Sequence, residues 1–135
     1  MLPVTLEDFR LFLHVLAATV WVGGQITLAG LVPVLRKIGV DAPKAVANQF
    51  ARIAWPAFGI LILTGIWNVA ADHEQMKNDS QFRNTLMLKL VIVALSGLAA
   101  YLHGKATTKA ATAAWGAATA VFALAALFVG IMLAS

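Results

Sequence analysis

Residues 9–30, FRLFLHVLAATVWVGGQITLAG, constrain this chain more than any other stretch. They are apolar enough to lie in lipid, yet they carry His14, Trp21 and Gln25. At about 100° per residue, Trp21 and Gln25 fall within roughly 20° of His14 around an ideal helix. Their polar atoms would then share one stripe, with Ala18 and Leu28 close beside it. Lipid cannot satisfy such a stripe, so it must face protein or water. The other helices are expected to assemble around it.

Composition agrees with a lipid environment. The 135 residues are 61% hydrophobic and 12% charged, where a soluble domain is usually about 25% charged. That is too little charge to coat a globule. The length suits one domain over residues 1–135. The absence of cysteine excludes disulfides, thiolate metal sites and cysteine nucleophiles. The net charge of +4 is small and spread over loops, with no Lys/Arg run long enough to track phosphates. It reads as an orientation signal, and nucleic-acid binding is not expected. Glu7 and Asp8 flank the first apolar run beside Arg10, and the run is too long for a signal-peptide core, so it is expected to remain as a helix.

The pattern predicts an all-α fold, a four-helix transmembrane bundle with up-down topology. Its helices should cover residues 6–35, 44–71, 85–103 and 110–133. Thr5 and Asp8 have the spacing of a capping box. Pro33 and Pro56 are expected to bend their helices. Asp41 and Pro43 should start the second helix, and Trp55 and Trp67 should mark its membrane boundaries. Residues 72–84, DHEQMKNDSQFRN, read as a hydrophilic loop. The fourth helix, Ala-rich with Gly116 and Gly130, offers a small-residue face for a homodimer or a larger membrane complex. Four spans place both termini on one side with Arg10, Lys77, Arg83 and Lys89. Arg36, Lys37, Lys44, Arg52, Lys105 and Lys109 lie on the other. Six basic residues against four predict extracytoplasmic termini.

Helix three carries a second polar stripe. Lys89, Ser96 and His103 are spaced by sevens and stay within about 40° of one another. A lysine inside the membrane costs roughly 3 kcal/mol on insertion scales. Lys89 could face His14 across one cavity and bind an anion, such as a haem propionate or a substrate carboxylate, or it could snorkel to the outer interface. His14 could ligate a metal or haem, relay protons, or hydrogen-bond between helices. Its ring needs an acceptor to fix the tautomer, and a carbonyl of helix two near Thr64 or Asn68 is expected to supply it. His103 reads as a solvated helix end, and His73 with Met76 is a weak Cu(I) pair. About 20 Å of helix rise separates His14 from His103, so the two cannot share one iron. Met87, level with His14, points about 160° away from Lys89. No HExxH, GxSxG, P-loop or GxGxxG motif is present, and no carboxylate lies inside a span. This argues against hydrolases and acid-based proton pumps.

Three blocks together resemble a known family. LHVLAATVWVGG (residues 13–24) resembles the His-then-Trp-Gly opening of the CopD domain. RIAWPAFGILILTGIWN (residues 52–68) is similar to its second helix, and TLMLKLVIVALSGLAAYLHG (residues 85–104) to its third, with the buried lysine. The resemblance implies copper resistance or uptake across a bacterial-type inner membrane. The related HemJ family has the same kind of opening, binds haem b and oxidises protoporphyrinogen. That likeness places its histidine on His14, its lysine on Lys89 and a later histidine on His103. The expectation is a CopD-like membrane protein that handles copper or haem near the outer half of the membrane. His14 would be the ligand, Lys89 the anion partner, and Trp21 and Gln25 the pocket wall. A HemJ-like redox enzyme and an accessory subunit of a membrane complex are the alternatives.

Overall fold

Thr5 opens the first helix through the expected capping box. Its Oγ1 accepts the Asp8 N–H at 3.2 Å, and Asp8 Oδ2 accepts the Thr5 N–H at 2.8 Å. Two otherwise orphaned backbone donors are satisfied this way. The structure, a computed structural model, describes residues 1–135. Helix α1 runs over Leu6–Ile38. It is α-helical except for one π turn, Thr19–Gly23, and it continues through Pro33. Gly39, in extended conformation, ends it. Helix α2 follows over Ala42–Ala71 and continues through Pro56. The Asp41 carbonyl accepts the Ala45 N–H at 3.0 Å at its start.

Residues Met1–Ala71 form one compact unit, an antiparallel hairpin of α1 and α2. Its register is given by three pairs: His14 with Thr64, Trp21 with Phe58, and Gly24 with Phe50. Ala17, Ala54 and Ala57 are buried in it. Such small residues let membrane helices approach closely, where packing and not a hydrophobic drive holds them. At Gly24 a Cβ would fall on the Phe50 ring, so this position admits only glycine unless the ring moves.

Residues Asp72–Ser135 form the second unit. The polar segment expected as a loop is mostly helical. It holds α3, His73–Asn78, and the first turn of α4, Ser80–Lys105. The reason is local. Glu, Gln, Met, Lys and Arg are good helix formers, and Asp79 caps α4 by accepting the N–H groups of Gln81 and Phe82 at 3.0 and 3.1 Å. Hydrophilicity alone does not make a segment irregular, and α4 starts five residues before the expected Thr85. Arg83 donates to the Met76 carbonyl at 3.3 Å and ties α3 to α4. Helix α5, Lys109–Ala134, begins at Thr108, whose hydroxyl accepts the Ala111 N–H. It pairs antiparallel with α4 around Leu86, Ser96, Ala99, Thr119, Ala123 and Val129.

The fold is all-α, with four helices long and apolar enough to cross a membrane. Phe12, Val15, Leu63, Ile66, Val91, Val121 and Phe128 all lie exposed on these helices. A bilayer covers such side chains at no cost, whereas water does not. The chain is a multi-pass membrane protein.

Candidate functional site

His14 lies on α1 one turn deeper than Arg10, and Thr64 lies on α2 one turn deeper than Asn68. The antiparallel register makes these four residues two adjacent polar rungs in the first hairpin. In the deeper rung, His14 Nδ1 is 2.7 Å from Thr64 Oγ1. Thr64 Oγ1 in turn lies 2.7 Å from the Ile60 carbonyl and 3.2 Å from that of Leu61. A hydroxyl has one hydrogen. With that hydrogen directed to its own helix, Thr64 accepts from the His14 Nδ1–H. The hydrogen-bond network thus assigns the Nδ1–H tautomer, and the imidazole lone pair is on Nε2. The partner is a hydroxyl of helix two at the expected residue, where the sequence suggested a carbonyl. The carbonyl of Ile60 acts one bond further along.

The outer rung was not foreseen as a site. Arg10 is only 6% exposed. Its Nη2 lies 3.5 Å from Glu7 Oε1, whose side chain is 70% exposed, so the pairing is long and wet. Its Nε–H is buried with no hydrogen-bond partner, and so is Asn68 Oδ1. A buried polar group without a partner costs about 1–3 kcal/mol, and more when charged. The available signal was spacing. Arg10 stands four residues before His14, and Asn68 four after Thr64, so each pair shares a helix face.

Trp21 shares with His14 the face of α1 that meets α2, and a π turn over Thr19–Gly23 separates His14 from Gln25. The π turn inserts one residue, which rotates everything beyond it by about 100°. Thr19 sits at its start and donates its hydroxyl to the Val15 carbonyl at 2.8 Å, a bond that competes with the backbone ladder. Trp21 lies within the turn, buried, with ring centroids of Phe58 and Trp55 at 4.5 and 5.5 Å. Gln25, beyond it, buries an unpartnered Nε2.

In the second hairpin the heptad stripe of α4 is real and faces α5. The Lys89 side chain lies over Gly130, where an added Cβ would stand 3.1 Å from Nζ, and no ion pair or hydrogen bond holds that ammonium. Ser96 Oγ donates to the Thr119 carbonyl at 3.3 Å. His103 Nδ1 is 2.8 Å from the Thr112 carbonyl and must donate to it, with its ring lying over Gly116. Gly116 and Gly130 therefore admit polar side chains of their own hairpin. Met87 is exposed, as is His73 on α3. No group of three or more His, Cys, Asp or Glu side chains converges to hold a metal ion. No family model, curated protein or solved structure matches the chain.

Proposed function

We propose that this multi-pass membrane protein binds haem b, with His14 Nε2 as an iron ligand. The observation that carries the reading is the chain from His14 Nδ1 through Thr64 Oγ1 to the Ile60 carbonyl. It fixes the ring and directs the lone pair of Nε2 away from the hydrogen bond, as ligating histidines require. One imidazole in an apolar hairpin suits haem, whose ring supplies the other four nitrogens. A protein-held copper ion would need further donors beside His14, and no group of three His, Cys, Asp or Glu side chains converges there. Haem, once bound, would supply one-electron chemistry. Trp21 and Gln25 would wall the site, and Lys89 would add positive charge within the membrane. The likeness to the HemJ opening supports the same assignment, whereas the likeness to the CopD domain points to copper. The four helices would form an up-down bundle in a bacterial-type inner membrane, with the site in its outer half and both termini outside.

A visible spectrum of the detergent-purified protein, with metal analysis, tests this. A Soret band is expected in the wild type, lost in His14→Ala and kept in His103→Ala. Stoichiometric copper without a Soret band would replace haem by copper. Neither signal would favour an accessory subunit, docked through the exposed face of α5 in a homodimer or larger complex. A Soret band that survives His14→Ala and disappears in His103→Ala would put the site at the other end of the membrane.

A further inference from the structure

We infer that the outer rung of the first hairpin, Arg10 with Asn68, is a carboxylate-binding site, and that its ligand is a porphyrin propionate. The ligand class rests on the haem reading, but the site rests on its own observations. Arg10 is buried, its Nε–H is unpartnered, and its only anion is the distant, solvated Glu7. A guanidinium taken out of water needs an anion with hydrogen-bonding geometry, and a carboxylate fits its planar fork. Asn68, at the same level on α2, buries an unpartnered Oδ1. Turning the amide by 180° exchanges Oδ1 for the Nδ2–H₂ donor. That turn satisfies the position only if an acceptor stands there. Arg10 and Asn68 then offer N–H groups to one anion from both helices. Arg10 precedes His14 by four residues, about 6 Å of helix rise, so a group ligated at His14 would carry its carboxylates toward this rung.

The test leaves iron out. Metal-free protoporphyrin IX has two propionates and nothing for His14 to ligate, and its dimethyl ester has the same ring without the charges. Binding of each to the detergent-purified protein is read from quenching of tryptophan fluorescence. The wild type should bind the free acid about 10–100-fold more tightly than the ester, the span of a hydrogen bond to a charged group. His14→Ala should keep that preference, and Arg10→Gln should lose it. Asn68→Asp guards against misfolding as an explanation. It places a carboxylate of the chain beside Arg10, so it should lose the preference while melting no lower than the wild type. Equal affinity for acid and ester, binding of neither, or a preference that survives both Arg10→Gln and Asn68→Asp overturns the carboxylate site. A preference that depends on Arg10 in a protein with no Soret band overturns iron ligation by His14 alone.

Discussion

Thr64 can serve His14 only because its own hydrogen goes elsewhere. Thr64→Val keeps the shape and removes the acceptor, leaving the Nδ1–H buried in the hairpin. The expected cost is about 1–3 kcal/mol, seen as a lower thermal midpoint in detergent, and Thr64→Ser should recover most of it. A Thr64→Val protein as stable as the wild type would mean that the 2.7 Å contact does not hold the ring. Gly24 makes the same kind of local demand in steric form. Gly24→Ala drives a methyl group into the Phe50 ring, and overpacking of this kind costs about 1–3 kcal/mol. Gly24→Ala combined with Phe50→Leu should be more stable than the two single changes predict when summed. Strict additivity in that double-mutant cycle would show the two residues to be uncoupled. His14 and its need for an acceptor on helix two were legible in the sequence, because polar atoms in an apolar run must find partners. Arg10 was not, because a charge near a helix start reads as an interfacial residue until its burial is known.

Three helix starts are written into the chain as side-chain caps, at Thr5, Asp79 and Thr108, and the one at Asp79 overrides what hydropathy suggests. The π turn at Thr19–Gly23 has no comparable signature, since a hydroxyl bond like that of Thr19 to the Val15 carbonyl recurs at Thr27, Thr64, Thr85, Thr112 and Thr119 without one. Ideal helix arithmetic carries from His14 to Trp21, which meets the same partner helix, and loses its register only beyond Gly23. The two glycines of α5 show how a single residue type can answer differently along one element. Replacing a helical glycine by alanine gains about 0.8–1 kcal/mol of propensity. At Gly130 the methyl group would meet the end of the Lys89 side chain, which can swing away. Gly130→Ala should be neutral or stabilising by up to about 1 kcal/mol. At Gly116 the Cβ would come within 3.0 Å of His103 Cε1, in a ring already held by its bond to the Thr112 carbonyl. Gly116→Ala should therefore melt below Gly130→Ala. The opposite order would mean that the ring yields more readily than the lysine.

At the scale of the whole chain, four apolar helices and the distribution of ten basic residues predict that both termini lie outside the cytoplasm. A C-terminal reporter active only in the cytoplasm should be silent, and an active one reverses the orientation. The number and class of the helices were legible because lipid demands long apolar runs. The level at which His14 meets Thr64 was legible too, whereas the pairings of Gly24 with Phe50 and of Gly116 with His103 were not, since they depend on close packing that hydropathy does not encode. The register also sets a timetable for synthesis. His103 waits only nine residues for Thr112, but His14 waits fifty for Thr64. At ~5–20 residues per second, fifty residues take roughly 3–10 s. For that interval the nascent first helix holds Arg10 and His14 with no second helix to meet them, and lipid is a poor host for either. The first span should therefore linger beside the insertion machinery until the second emerges, and the two should enter the bilayer as a pair. Delayed release of helix one, read by cross-linking at nascent-chain lengths below Thr64, is the kinetic mark of a polar rung completed late.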